Sequence, residues 1–116
     1  MDYQGLAAWQ HAMALCDEIY RLTADFPRHE KFGLSSQLRS CAISVPSNIA
    51  EGEGRLTRGE RRQFLGHARG SLYEVETQLL LARRVGYLVP EDLFALVRKT
   101  KNALDGYMAY VQRQKQ

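Results

Sequence analysis

A chain of 116 residues, 25% charged and 45% hydrophobic, is the length of one domain and can bury a core without metal or disulfide staples. Three prolines and no low-complexity tract leave no room for a disordered linker, and no run approaches the roughly 20 apolar residues of a membrane span. The net charge of +3 is local: five of the 16 basic residues and one of the 13 acids lie between Arg55 and Arg69, giving that segment +4 and the remainder −1.

The first predicted helix, about residues 5–26, carries Leu6, Trp9, Met13, Cys16, Tyr20 and Thr23 at alternating spacings of three and four. That spacing is an apolar stripe on one helix face. It ends at Phe26-Pro27, because a residue before proline avoids the helical region. The N-terminal run MDYQGLAAWQHAM has no basic region leading into an apolar one, so a cytoplasmic location is expected. Cys16 and Cys41 then read as buried free thiols.

A second stripe, Leu34, Leu38, Cys41, Val45 and Ile49, predicts a helix over about 34–53. Ser35 and Ser36 suit its start, and Gly52 and Gly54 suit its stop. Inside it sits Pro46, which cannot donate to the carbonyl of Ala42 and reads as a kink unless that carbonyl finds another partner. Asn48 and Glu51 share a helix face. With Gln37 and Ser44 on the same helix and Ser71 and Glu74 on the next, they are expected to form a buried polar network fixing helix register.

The third helix, about 58–85, opens on Thr57-Arg58-Gly59-Glu60, a capping box. Its stripe is Phe64, Ala68, Leu72, Val75, Leu79 and Ala82. The fourth, about 90–113, starts at Pro90 with Glu91 and Asp92 at its positive end, and its stripe is Leu93, Val97, Thr100, Leu104, Tyr107 and Val111. No segment alternates as a strand does. The expected fold is all-α, an antiparallel up-down four-helix bundle in one domain.

The runs FGLSSQLRSCAISVPSNIAEGEGR and FLGHARGSLYEVETQLLLARRVGYL resemble the 23S rRNA intervening-sequence protein family. The likeness rests on Phe32 to Leu34 with Gln37, on Ser44 to Gly52, and on Gly70 to Leu72 with Glu74. The AWQHAM of the first helix adds a Trp-x-x-Ala pattern. Ser40 departs from it, since the family often has a second basic residue after Arg39. The resemblance implies a homopentameric ring of four-helix bundles in bacterial genomes. It also implies kinship with the accessory variability determinant of diversity-generating retroelements, a basic ring that binds nucleic acid and a reverse transcriptase. Most members of the family have no known activity.

The residues themselves offer little chemistry. No glutamate has a histidine three positions on, His11, His29 and His67 have no shared ligand spacing, and neither a nucleophile elbow nor a phosphate loop occurs. Catalytic residues, metal ligands and cofactors are therefore expected to be none, and the protein non-enzymatic. What remains is the basic patch. Arg58, Arg62 and Arg69 fall within about 40° on a helix at 100° per residue. Arg61 lies beside them, with Arg55 and Arg39 as weaker candidates. Arginines at a helix start oppose the macrodipole, whereas Arg83, Arg84, Arg113 and Lys115 near helix ends accord with it. Tyr3, Tyr73, Tyr87, Tyr107 and Tyr110 are spread along the chain, not clustered as a stacking platform. The expected function is an oligomeric accessory protein whose arginines contact RNA or DNA phosphates. The alternative is a structural assembly or docking module, for example for a reverse transcriptase, whose charge is a solvated face or pairs with acids such as Glu53. Trp9, Phe94 and Leu96 exceed what one bundle seam requires and add to the expectation of a homo-oligomer.

Overall fold

The computed structural model describes residues 2–114. Its helices are α1 (Ala7–Ala24), α2 (Leu34–Glu53), α3 (Arg58–Arg84) and α4 (Glu91–Arg113), with 3-10 turns at Tyr3–Gly5 and Arg28–Glu30. α1 and α3 each pack on both α2 and α4, so consecutive helices are neighbours and the last closes on the first. The bundle measures 48 × 24 × 20 Å. One end holds the α1–α2 and α3–α4 joints. The other holds the α2–α3 joint and both described termini.

α1 turns a different face inward from the one expected. Ala8, Ala12, Leu15, Cys16, Ile19 and Thr23 are buried, while Met13 and Tyr20 are 40% and 44% exposed. Two stripes compete on this helix and share Cys16 and Thr23. The aliphatic one with two alanines wins, because small residues let the helix axes approach and Leu15 and Ile19 have no polar atom to keep wet. Tyr20 instead lies at the surface under the Arg39 guanidinium, 4.7 Å from its ring centroid.

The start of α2 also differs from the serine caps. The helix begins at Leu34, whose N–H donates to Glu30 Oε1 at 3.1 Å, and Tyr87 donates to Glu30 Oε2 at 2.7 Å. These bonds, the Tyr87 one first, hold the Glu30 carboxyl below its usual range. The 3-10 turn thus caps α2 and ties the α1–α2 joint to the α3–α4 joint. Ser35 is buried inside the first turn.

α2 runs unbroken through Pro46. The carbonyl of Ala42, deprived of its helical donor, accepts from the Cys16 thiol of α1 at 3.1 Å. Burial first, and Asp17 second, push that thiol up to about 11, so it stays a neutral donor. Cys16 is therefore buried as expected. Cys41 is only half-buried and lies on the α2–α3 seam.

Gly52 is within α2 rather than its stop. A Cβ there would sit 3.2 Å from Phe64 Cβ and 3.3 Å from the Arg61 carbonyl oxygen, so glycine lets α2 touch the first turns of α3. Thr57 caps α3, its hydroxyl accepting from the Glu60 N–H at 3.2 Å and donating to the Glu60 carboxylate at 3.1 Å. α3 ends at Gly86, φ +103°, where the Tyr87 N–H reaches the Ala82 carbonyl at 3.0 Å as in a Schellman stop. The α3 and α4 stripes are largely inside: Leu65 replaces the half-buried Phe64, Tyr107 is half-buried, and the rest are buried. Phe94 is buried in the single chain, so it is no surplus for an interface.

Candidate functional site

Four of the six candidate arginines, Arg55, Arg58, Arg61 and Arg62, lie at the α2–α3 end, with Arg69 about three turns along α3, and most are engaged within the chain. Arg58 donates from Nη1 to the carbonyl of Gln114 at 2.7 Å and, at 3.5 Å, to that of Gln112. Those are the last carbonyls of α4, where a cation is favoured. A guanidinium that opposes the start of α3 thus caps the end of α4, which supplies the structural reason the sequence alone does not show. Arg55 pairs with Glu51 at 3.2 Å and lies 4.4 Å from the Phe64 ring centroid. Arg69 donates from Nε to Asp105 at 2.9 Å and stacks 4.8 Å from the Tyr73 centroid. Arg61 reaches Glu53 at 4.0 Å. Arg62 is exposed, and among the described residues no acid lies within ion-pair distance of it. Arg39 stands apart on the α1–α2 face, its Nε donating to Thr23 Oγ1 at 2.8 Å. It does not join the patch.

The exposed pairs of Arg55 and Arg69 are cheap to break, because ion pairs in water are worth about 0–1 kcal/mol. A phosphate could displace either acid at little cost. Of the arginines near helix ends, Arg83 pairs with Glu91 across the α3–α4 joint at 2.9 Å. Lys115 lies outside the described residues.

The expected polar network forms only in part, in the α2–α3 groove rather than the bundle interior. Ser44 and Ser71 hydroxyls bond at 2.8 Å, and Asn48 Nδ2 donates to the Ser44 carbonyl at 2.8 Å and hydroxyl at 2.9 Å. Glu74 belongs to a separate group on the same seam, where the Cys41 thiol donates to it at 3.7 Å and Gln78 Nε2 donates to the sulfur at 3.5 Å. Glu51 is excluded. It is exposed and its partner is Arg55. Gln37 is exposed as well and lines a shallow apolar groove with Leu34, Gln78, Leu81 and Val85. Among the described residues no group of three or more His, Cys, Asp and Glu could hold a metal ion.

One cluster is not anticipated by the sequence. Tyr107 and Tyr110 of α4 stack with ring centroids 5.8 Å apart and planes at 27°, so two of the tyrosines do gather. Tyr107 donates to Glu53 at 2.7 Å. Burial, then the Glu53 carboxylate, push its phenol up to about 12, with Arg61 opposing. Leu6, Glu53, Arg61, Tyr107, Tyr110 and Gln114 enclose a pocket of about 350 Å³. The i, i+3 spacing of Tyr107 and Tyr110 was the available signal. What it meets across the bundle end depends on how α2, α3 and α4 converge.

The pattern of the 23S rRNA-intervening sequence protein family matches residues 4–105. Among solved structures, a protein of unknown function from the S23 ribosomal protein family of Bacteroides thetaiotaomicron is similar at a TM-score of 0.75 and 19% identity, covering 90% of this chain and 98% of that one. That likeness supports the four-helix fold alone. No curated protein matches. With a match over nearly its whole length, the chain belongs to the 23S rRNA-intervening sequence protein family.

Proposed function

We propose that this protein is a non-enzymatic accessory protein that binds nucleic-acid phosphates through the arginines at the α2–α3 end. The observation that carries the reading is the concentration of +4 between Arg55 and Arg69 in a chain otherwise at −1. Arg62 is the principal contact, being exposed and without an acid partner among the described residues, and Arg55 and Arg69 join by exchanging a weak ion pair for a phosphate. Arg61 and Arg58 shape the surface from behind. Binding of a labelled duplex across a salt titration tests this. The slope of log affinity on log salt is about −0.9 per duplex phosphate neutralised, and Arg62→Gln should flatten it with helix content unchanged.

A second reading has its own support at the far end of the bundle. Phe32 and Leu88 are 88% and 92% exposed there, and the groove of Leu34, Leu81 and Val85 lies at the same end. Such a surface suits protein docking, to a second copy or to a reverse transcriptase. The two readings combine in a homopentamer, which repeats each arginine and adds weak contacts through multivalency. Light scattering decides the assembly, and a 13.2 kDa species at micromolar concentration would exclude it.

A further inference from the structure

The pocket at the arginine end has an unusual lining. One side is the Tyr107–Tyr110 stack, with Tyr110 half exposed at the mouth and Leu6 behind. The polar side holds Glu53, Arg61 and Gln114. Two polar atoms of that lining, the Nε of Arg61 and the Oε1 of Gln114, are buried and make no hydrogen bond. Native structures rarely leave such atoms unsatisfied, so this donor and acceptor bond to water in the unliganded protein and are available to an occupant that offers the complement of both. The side chains are held firmly. Gln114 Nε2 donates to the Tyr110 hydroxyl at 2.9 Å, and the Gln114 backbone carbonyl accepts from Arg58 Nη1 at 2.7 Å. Arg61 is steadied by Glu53, which Tyr107 also holds. A volume of about 350 Å³ is at the small end of ligand pockets, which run roughly 300–1,000 Å³.

We infer that this pocket receives one unpaired nucleobase of a single-stranded nucleic acid. A base is flat, stacks on a tyrosine face, and carries acceptor and donor groups on one edge, which would meet Arg61 Nε and Gln114 Oε1. The flanking phosphates would then run past Arg62 on the next residue of α3. The inference rests on the phosphate-binding reading and narrows its ligand: the preferred strand has an accessible base, which a duplex hides in its stack.

The test measures affinities of the parent, Tyr110→Ala, Tyr110→Phe and Arg62→Gln for a labelled 12-residue strand, as RNA and as DNA, and for the corresponding duplexes. Helix content by circular dichroism confirms that each variant folds. The parent should prefer the single strand. Tyr110→Ala should weaken its tighter single strand about tenfold and its duplex less than twofold, and Tyr110→Phe, which keeps the ring and loses only the hydroxyl that holds Gln114, should weaken the strand by less than Tyr110→Ala does. Arg62→Gln should weaken strand and duplex alike. If Arg62→Gln weakens both while Tyr110→Ala changes neither, phosphate binding stands and the base pocket is wrong. Equal loss of strand and duplex in Tyr110→Ala also overturns the pocket. A parent that binds none of them at 50 mM salt overturns both readings.

Discussion

The bond from Cys16 to the Ala42 carbonyl makes a quantitative claim about how a helix keeps a proline in its interior. Cys16→Ala would leave that carbonyl buried without a donor, which costs about 1–3 kcal/mol. Pro46→Ala restores a backbone N–H to the same carbonyl and removes the ring clash, a gain of about 3 kcal/mol. Loss of two buried methylenes, at about 0.8 kcal/mol each, offsets roughly half of it, so the single variant should be more stable by about 1 kcal/mol. In the Pro46→Ala background the carbonyl no longer needs the thiol. Cys16→Ala should then cost only the buried sulfur, about 0.5–1 kcal/mol. The two changes are therefore non-additive by the cost of the orphaned carbonyl, about 1–3 kcal/mol. Urea melts of the parent, both single variants and the double variant measure this. Effects that add within about 0.3 kcal/mol would show that the thiol does not replace the missing donor.

Gly52→Ala should destabilise by about 1–3 kcal/mol, since the new methyl meets the Arg61 carbonyl and Phe64 Cβ within 3.3 Å; thermal melts against Gly66→Ala, where nothing lies within 4 Å, isolate the contact. Asn48→Ala should cost about 1 kcal/mol and Glu51→Ala less than about 0.5, because only Asn48 is bonded into the α2–α3 seam; denaturant midpoints of the two variants compare them. The Tyr107 phenol, raised from about 10 in the unfolded chain to about 12 in the folded one, favours the folded state at all pH below 10. That contribution should fade as pH rises from 10 to 12, and alkaline unfolding curves of Tyr107→Phe should lack this part of the decline.

The helices were legible because their stripes repeat at spacings of three and four over about four to five turns. The cap at Thr57 and the stop near Gly86 have local chemistry that a sequence displays. The inward face of α1 was not legible, since two stripes have the same period and the choice between them depends on packing against the neighbouring helices. Pro46 announced an orphan carbonyl, but its donor lies 26 residues away on another helix. The arginine cluster was visible as composition, whereas its internal partners were not. Arg58 meets α4 only because antiparallel packing brings residue 58 beside residue 114. The same packing separates Glu51 from the Asn48 seam and sends Arg39 to the α1 face.

The central claim is that phosphates bind at the arginine end, and the salt dependence of binding tests it most directly. Affinity for a 20-base-pair duplex, followed from 50 to 200 mM salt, should fall steeply for the parent. In the Arg55→Gln, Arg62→Gln double variant the log–log slope should be shallower by about 0.9 for each phosphate no longer neutralised, with helix content unchanged. An identical slope and affinity in the folded double variant would contradict the claim.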